Sequence, residues 1–339
     1  MSGTSLDGLD LAHCTFNSTP PYFSIDYSTS YNYSTEWRKR LLNADKLNAN
    51  DFALLDADIT SLFASLINKF IKENSIENID AISSHGHTVF HQPELGYTVQ
   101  VGSPSYLAAK TGLTVIGDYR TADIALGGQG APLVPIGDRD LFSHYKNRIN
   151  LGGFANISHE KDGKTIAFDI CPLNMALNKI ANNLGLEFDE GGNIAKKGIV
   201  DKGLLAELNT LDYYKQKGPK SLGKEWFDNS FYPLLNKSEI TREDKLRTLV
   251  EHMAIQISKV MIEGNCLISG GGAHNTFLIE RIASHSENEI ILPDNSIIEF
   301  KEALIFAYLG FLRLTNKANV LKSVTGASKD HIAGTIHLH

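Results

Sequence analysis

The sequence predicts an α/β protein of two domains with a cleft between them, and two observations carry that prediction. The chain has 339 residues, more than the roughly 100–200 that one hydrophobic core usually holds. Its second half alternates strand and helix patterns, which is typical of α/β folds. With 42% apolar and 21% charged residues, the composition is that of a folded protein rather than a disordered or disulfide-stapled chain.

The first half predicts one long amphipathic helix followed by short strands. Apolar residues recur at three- and four-residue steps from residue 51 to about 73, and Asn50 can cap that helix. Apolar or alternating runs predict strands over 79–84, 97–102 and 113–117. Ser103 and Pro104 form a cap and first-turn pair for a helix over 106–110.

The second half predicts a more regular alternation. The predicted strands cover 148–151, 165–170, 266–269 and 289–292. The predicted helices cover 174–184, 241–262, 275–284 and 301–314. A polar, loop-rich stretch over 201–237 predicts an insertion with small helices.

Charge and cysteine usage exclude several classes of function. There are 32 Lys and Arg against 39 Asp and Glu, and no basic cluster is interleaved with aromatic residues, so we expect neither nucleic acid nor anionic membranes as partners. The three cysteines are far apart and lack C-x-x-C spacing, which favours a reducing compartment. The most apolar run, 303–312, has half of the ~20 residues that a membrane-spanning helix needs, and the N-terminus lacks a signal peptide's basic and apolar regions. We therefore expect a cytoplasmic protein.

Four glycine-rich segments, over 2–8, 127–130, 151–153 and 269–275, are candidate phosphate-binding turns. The last one follows an apolar strand and precedes an amphipathic helix, where backbone N–H groups can receive phosphate or ribose oxygens. None matches G-x-x-x-x-G-K-S/T, and no G-x-G-x-x-G lies between a strand and a helix with an acidic residue at dinucleotide spacing. A third phosphate-binding architecture is therefore required, although any one segment can equally be a tight turn that needs a positive φ.

Two groups of carboxylates are placed where chemistry can use them. Small hydroxyls and glycines stand beside Asp7 and Asp10, which suits phosphate contacts and water-mediated Mg²⁺; the alternative is an Asp-Gly turn. Asp169 ends the strand predicted over 165–170 and points into the crevice where α/β folds bind ligands. The alternative for Asp169 is a turn or helix-capping aspartate.

Polar residues also follow the strands of the first half. Asp118 and Arg120 come after the strand predicted over 113–117, where they either bind a ligand or form a surface ion pair. His85, His87 and His91 lie at i, i+2 and i+6 with no Cys or clustered carboxylate beside them, which disfavours a metal site. We interpret them as contacts to a hydroxylated ligand, with packed loop histidines as the alternative.

Taken together, these segments resemble the anhydro-N-acetylmuramic acid kinases, members of the acetate and sugar kinase, Hsp70 and actin superfamily. The segments over 1–10 and 117–133 are similar to the family's ATP phosphate loop and its long central signature. Other family segments recur in order over 150–157, 189–198, 219–225, 270–275, 301–303 and 323–327. The resemblance runs nearly end to end.

The resemblance implies a two-domain ribonuclease H-like ATPase fold with an interdomain cleft. We expect one domain over 1–122 with about 316–339, and the other over 123–315. The implied activity uses ATP and Mg²⁺ to convert 1,6-anhydro-N-acetylmuramic acid into N-acetylmuramic acid 6-phosphate during peptidoglycan recycling. Asp169 is then the catalytic base on a water that attacks the anomeric carbon, while the freed O6 takes the γ-phosphoryl group. A carboxylate suits this step, as in inverting glycosidases.

The resemblance also implies binding residues and a homodimer. The contacts expected for ATP are Gly3, Thr4, Ser5, Leu6, Asp7, Gly8, Leu9, Asp10, Gly152, Gly153, Asn156, Gly270, Gly271 and Gly272, with Asp7 also holding Mg²⁺. The contacts expected for the sugar are His85, His87, Asp118, Arg120 and Glu302. Arg120 is suited to bidentate contact with the lactyl carboxylate of the sugar.

Two rival functions stay open, and the sequence departs from the family in places. One rival is a kinase of the same fold for another anhydro or amino sugar, because a fold does not set the substrate. The other is a catalytically idle actin- or Hsp70-like binding protein. Cys171 stands where the family commonly has Gly, and His87 where Gln is common. Relatives usually carry an apolar strand before the first segment; without it we expect an exposed sheet edge and a poorly anchored phosphate loop.

Overall fold

The structure, a computed structural model, describes residues 1–3, 6–20, 22–216 and 220–339. The chain divides into two compact units. The first unit consists of Met1–Leu141 together with Phe300–His339, and the second unit of Phe142–Glu299. In the part of the chain that is described, no helix has the length and apolar character needed to cross a membrane.

The second unit is built on a five-stranded sheet. Its strands in chain order are Asn147–Leu151, Phe154–Lys161, Lys164–Pro172, Asn265–Ser269 and Glu289–Ile291. Numbered in that order, they lie side by side as 5-4-1-2-3, and the second strand alone runs antiparallel to the others. This is the order of a ribonuclease H-like sheet, so the fold class that the resemblance implies is confirmed.

Helices supply the rest of the second unit's core. The helix Arg242–Val260 begins after Thr241, whose side chain accepts a hydrogen bond from the Asp244 N–H, and it packs Leu249 and Met253 into the same cluster as the sheet. The other helical segments are Asn174–Asn182, Glu190–Gly192, Ala195–Lys197, Lys202–Asn209, Asp212–Lys215, Lys224–Trp226, Phe227–Phe231, Tyr232–Lys237, Gly271–His274 and Thr276–Ser284. The small helices predicted over 201–237 are therefore present.

The first unit divides its strands among smaller sheets. These are the hairpin of Gly8–Phe16 with Phe23–Asn32, the hairpin of His87–Gln92 with Tyr97–Val101, and a three-stranded sheet with Val115–Gly117 between Ile82–Ser83 and Thr335–His337. Ser2 links the two hairpins through isolated bridges to Leu9 and His87. The helical segments are Thr35–Leu42, Ala44–Lys46, Ala49–Glu73, Pro93–Leu95, Pro104–Thr111, Thr121–Ala125, Pro135–Leu141, most of Asn295–Leu314, and Lys322–Thr325.

Helix caps explain where some elements begin. Ser103 caps Pro104–Thr111 by accepting the Tyr106 N–H, as predicted. The long helix begins earlier than predicted, at Ala49, because Asn48 rather than Asn50 accepts the Asp51 N–H. The helix predicted over 301–314 starts at Asn295. The sequence pattern does not predict the strand Gly8–Phe16, because both of its faces are largely half-buried and leave no alternation.

The units do not divide at the boundaries expected near 122 and 316. Residues 123–141 stay with the first unit because Leu133 and Ile136 pack against Phe306 and Leu309 in one core cluster. The same cluster draws residues 300–314 into the first unit. A sequence pattern shows that these residues are apolar but does not show which core they join.

Candidate functional site

A row of polar side chains crosses one end of the second unit's sheet. Ser269, Asn150, Asn156 and Asp169 stand opposite one another on four adjacent strands. Residues that are directly paired project on the same face of a sheet. Leu151, the next residue along, lies in the apolar core, so the row faces the other way. The structure thereby brings the predicted base, Asp169, next to Asn156, a predicted ATP contact.

Asp169 is half-buried on Lys164–Pro172, which is an edge strand of the sheet. Its carboxylate Oδ2 accepts the Leu222 N–H at 2.8 Å. Burial raises the pKa of the Asp169 carboxyl, and the bond from Leu222 opposes that rise. A carboxylate with a raised pKa and a neutral hydrogen-bond donor can accept a proton from water.

The glycine turns at the ends of these strands leave room around Asn150. A Cβ on Gly270 would lie 2.5 Å from Asn150 Oδ1, and one on Gly152 would lie 3.2 Å from Asn150 Nδ2. Gly270 also has a φ of +82°, which favours glycine. A Cβ on Gly153 or Gly271 would meet no described atom within 4 Å. The backbone at these two positions therefore borders open space.

This arrangement fits ATP. Backbone N–H groups at side-chain-free turns, together with the Asn150 amide, can receive phosphate or ribose oxygens at close range. Gly272 has a different role, because a Cβ there would lie 2.7 Å from the Leu151 Cβ and 2.8 Å from a Leu173 methyl carbon. It is a packing glycine. Asn150 was missed by sequence reasoning; the available signal was its place at a strand end, just before Gly152.

The predicted phosphate loop over residues 3–10 belongs to the first unit. Thr4 and Ser5 lie outside the described residues. Gly3 O accepts the Leu6 N–H at 3.2 Å, and Leu6 has a φ of +61°. A Cβ on Gly8 would collide with the Tyr31 carbonyl oxygen of the neighbouring strand.

Only part of that loop is available to a ligand. Leu9 is 4% exposed and its side chain belongs to the apolar core, so its contact with ATP stays a prediction that only its backbone could fulfil. Asp10 Oδ1 accepts the Ser30 hydroxyl at 2.5 Å. Asp7 is exposed, and an exposed carboxylate fits the water-mediated contact that Mg²⁺ prefers.

Two predicted sugar contacts, His85 and Arg120, are hydrogen-bonded to each other in the first unit. Arg120 Nε donates to His85 Nε2 at 3.0 Å, and Arg120 Nη1 donates to Gly130 O at 2.6 Å. Burial lowers the pKa of Arg120 to about 10, with Glu302 and Asp123 opposing the shift. Burial and the Arg120 charge hold the pKa of His85 well below its usual range. His85 is therefore neutral and accepts from the guanidinium.

The remaining predicted sugar contacts have different surroundings. Glu302 is open to solvent, yet enough protein surrounds it to raise the pKa of its carboxyl, and the Arg120 charge is one of the groups that oppose this rise. His87 is 3% exposed, and its Nδ1 lies 2.9 Å from Ser2 Oγ. Asp118 has a φ of +58°, and its Oδ1 accepts the Thr121 N–H at 3.2 Å. Glu302 is thus electrostatically coupled to Arg120, whereas His87 and Asp118 have structural partners.

Asp123 is a fully buried carboxylate to which sequence reasoning gave no role. Its Oδ2 accepts the Gly130 N–H at 2.7 Å, and its Oδ1 accepts the Thr325 hydroxyl at 2.7 Å. A Cβ on Gly128 would collide with the same carboxylate. Asp123 therefore holds the glycine segment 127–130 in the position from which Gly130 O binds Arg120.

Comparisons with known proteins agree along the whole chain. The family model for anhydro-N-acetylmuramic acid kinase matches residues 1–339. The anhydro-N-acetylmuramic acid kinase of Mannheimia succiniciproducens is 33% identical over 363 residues, covering 99% of this chain and 97% of the relative. The enzyme of the same name from Hahella chejuensis is 33% identical over 356 residues, with 99% and 97% covered.

Among solved structures, the similarities are more distant. The activator of the 2-hydroxyisocaproyl-CoA dehydratase from Clostridium difficile, with bound ADPNP, aligns at a TM-score of 0.35 and 17% identity, covering 61% of this chain and 82% of that chain. A putative N-acetylmannosamine kinase from Listeria monocytogenes aligns at a TM-score of 0.34 and 13% identity, covering 86% and 92%. The fold assignment rests on the strand order of the second unit.

Proposed function

The chain belongs to the anhydro-N-acetylmuramic acid kinase family, and we propose that it opens the 1,6-anhydro bridge of anhydro-N-acetylmuramic acid with water while phosphorylating O6 with ATP. The products are N-acetylmuramic acid 6-phosphate and ADP. This reaction recovers a cell-wall sugar, so we propose a role in peptidoglycan recycling. We also propose that the protein acts in the cytoplasm as a homodimer.

The observation that carries the proposal is the environment of Asp169. Within the described part of the chain, its Oδ2 is bonded to a backbone N–H while its Oδ1 has no hydrogen-bond partner. Asp169 takes a proton from water as the water oxygen bonds to the anomeric carbon. The bond from that carbon to O6 breaks, and O6 bonds to the γ-phosphorus of ATP as ADP leaves. The proton on Asp169 then returns to solvent.

The glycine turns and the loop over 3–10 supply the contacts to ATP in this proposal. Backbone N–H groups at Gly153 and Gly271 border open space, and Asn150 and Asn156 add amide donors beside Asp169. Asp7 would hold Mg²⁺ through water, and that ion would neutralise charge on the transferred phosphoryl group. Positioning and electrostatic stabilisation are the main sources of catalysis in this type of transfer.

The first unit supplies the contacts to the sugar. Arg120 is the group for the lactyl carboxylate, because a planar guanidinium binds a carboxylate bidentately. His85, which bonds Arg120, fixes the plane of that guanidinium. Glu302 is the group for a sugar hydroxyl, since a carboxylate oxygen accepts a hydrogen bond from a hydroxyl group.

The test follows the oxygen of water. Wild type and Asp169→Asn are incubated with anhydro-N-acetylmuramic acid, ATP and Mg²⁺ in ¹⁸O-water, and the products are analysed by mass spectrometry. We expect ¹⁸O at the anomeric position and phosphate on O6 for wild type, and a rate at least ~100-fold lower for the variant, in line with general-base contributions. Asp212→Asn, at an exposed carboxylate paired with Lys215, is the matched control and should behave as wild type.

Two results would count against the proposal. A wild-type protein that forms no phosphorylated sugar does not have this activity. An Asp169→Asn protein as active as Asp212→Asn would show that Asp169 is not the base.

A further inference from the structure

Residues outside the sheet occupy the free edge at Asp169. Lys164–Pro172 is the last strand of the sheet order, so its outward backbone groups need partners from elsewhere. Lys220 O accepts the Asp169 N–H at 3.1 Å. Leu222 then donates its N–H at 2.8 Å to the Asp169 carboxylate, not to a backbone carbonyl. Residues 220 and 222 thus pair with the edge strand at Asp169, one through the Asp169 backbone and the other through the Asp169 side chain.

Tyr213 forms a hydrogen bond with the backbone carbonyl of Asp169. Its hydroxyl donates to Asp169 O at 2.5 Å, and its ring is 4% exposed and packs against Trp226 with 5.3 Å between the ring centroids. A buried ring has little rotational freedom, so the hydroxyl is held in place. This bond fixes the peptide from which the Asp169 side chain projects.

Lys220 links the backbone contact at Asp169 N–H to the Tyr213 contact. Its Nζ donates to Tyr213 O at 2.9 Å and to Gln216 O at 3.1 Å, and it lies 4.2 Å from the centroid of the Tyr213 ring. A cation over an aromatic face adds attraction to these bonds. The ammonium is therefore directed at carbonyl oxygens and a ring, not at the Asp169 carboxylate.

We propose that the Leu222 N–H and the Tyr213 hydroxyl are positioning groups for the catalytic base, which turn Oδ1 of Asp169 toward water while Oδ2 is held. This inference rests on the proposed function, because it assigns a role relative to Asp169 as base. A neutral backbone donor is well suited to this role, because it stabilises the ionised carboxylate while leaving it basic. A bonded lysine or arginine would instead lower the pKa of the carboxyl and weaken it as a base.

The first experiment removes the Leu222 N–H and uses a control variant that loses only the Leu222 side chain. Leu222→Pro loses both, and Leu222→Ala loses the side chain alone. We expect the acidic limb of the kcat profile to lie about one pH unit higher for Leu222→Pro than for Leu222→Ala, because loss of a donor to the carboxylate disfavours its charged form. Identical limbs in two folded variants would overturn the role of the N–H.

The second experiment does not depend on the folding of a proline variant. Tyr213→Phe removes the hydroxyl bonded to Asp169 O, and Tyr214→Phe removes the neighbouring hydroxyl, which lies 2.9 Å from His252 Nε2. We expect kcat to fall about tenfold for Tyr213→Phe with both KM values within twofold of wild type, as for a group that acts on the transition state. Tyr214→Phe should keep the wild-type kcat. Equal kcat values for the two variants would overturn the role of Tyr213.

Asp169→Asn in the same assays separates this inference from the function itself. If Asp169→Asn is inactive and the two positioning variants, Leu222→Pro and Tyr213→Phe, do not differ from their matched controls, the base assignment stands and the positioning inference is wrong. If Asp169→Asn is active, the proposed base is wrong and the inference falls with it.

Discussion

Two arginine sites, one in each unit, differ in what the guanidinium binds. In the second unit, Arg281 donates to both carboxylate oxygens of Glu251, at 3.0 and 2.9 Å. Arg247 and His285 contact the same carboxylate. In the first unit, Arg120 bonds a neutral histidine and a carbonyl, and no described carboxylate lies within ion-pairing distance of it.

The difference separates a structural charge network from the binding group proposed at Arg120. Glu251 gathers three basic partners between the helices Arg242–Val260 and Thr276–Ser284, and they hold the pKa of its carboxyl at about 2. Arg120 is desolvated with no carboxylate in direct contact, and burial lowers its pKa even though the charges of Glu302 and Asp123 oppose the shift. A carboxylate ligand would supply the missing partner. An unmatched guanidinium inside a protein is costly unless a ligand completes it.

The largest expected effect is on the stability of the second unit. Glu251→Gln should lower the free energy of unfolding by about 3 kcal/mol, because it leaves three basic groups around a neutral amide. Urea denaturation checks this in a Trp37→Phe background, where Trp226 reports on the second unit. Glu280→Gln, which breaks the exposed pair with Lys196, should cost no more than about 0.5 kcal/mol. Equal losses of unfolding free energy in the two variants would mean that the Glu251 network stabilises the unit no more than an exposed ion pair does.

The next effect concerns substrate binding in the first unit. Arg120→Ala should raise the KM for anhydro-N-acetylmuramic acid roughly 100-fold and leave the KM for ATP within about twofold, because a bidentate charged contact is lost. Steady-state kinetics with each substrate varied in turn measure both values. Arg120→Lys should restore little, since an ammonium lacks the planar fork.

Two controls sharpen the contrast between the arginines. Anhydro-N-acetylglucosamine lacks the lactyl carboxylate, so its KM should be insensitive to Arg120→Ala. Arg281→Ala should lower stability and leave both KM values unchanged. A KM that rises equally for the two sugars, or for the two arginine variants, would contradict the binding role of Arg120.

Sequence patterns predicted the local features of the site but not its assembly. The sequence predicted a strand over 165–170 with Asp169 at its end, whereas the strand continues to Pro172. Ser103 was correctly predicted as a helix cap. The position of Asp169 opposite Asn156 depends on a register shift in the strand pair, between Ala155 and Asn156. Nothing local encodes a register shift, because it is set by which side chains reach the core.

The sequence also did not predict hydrogen-bond partners that are far apart along the chain. His85 and Arg120 are separated by 35 positions, and only the fold shows that one accepts from the other. Leu9 stands among residues typical of a phosphate loop, yet burial of a leucine is favourable enough to draw it into the core. The glycine-rich segments were found because composition is local, whereas Asn150, the side chain that makes Gly270 necessary, was found only in the structure.

The smallest expected effect, counted per pH unit, comes from one buried histidine in each unit. Burial lowers the pKa of His252 in the second unit to about 3, and that of His87 in the first unit to about 4. Both stay neutral in the folded chain well below the ordinary histidine pKa of about 6.5. Between these values the unfolded chain binds more protons than the folded one, so stability falls as pH falls, by up to about 1.4 kcal/mol per pH unit for each histidine.

Variants assign that slope to the units. His252→Gln should flatten the pH dependence of unfolding between pH 6 and 4 when Trp226 is the probe, and His87→Asn should do so when Trp37 is the probe. Each flattening should amount to about one proton at most, since one group is removed. A slope that changes equally at both probes would mean that the two units unfold together, and the contrast between their charge networks would then have to be tested by binding alone.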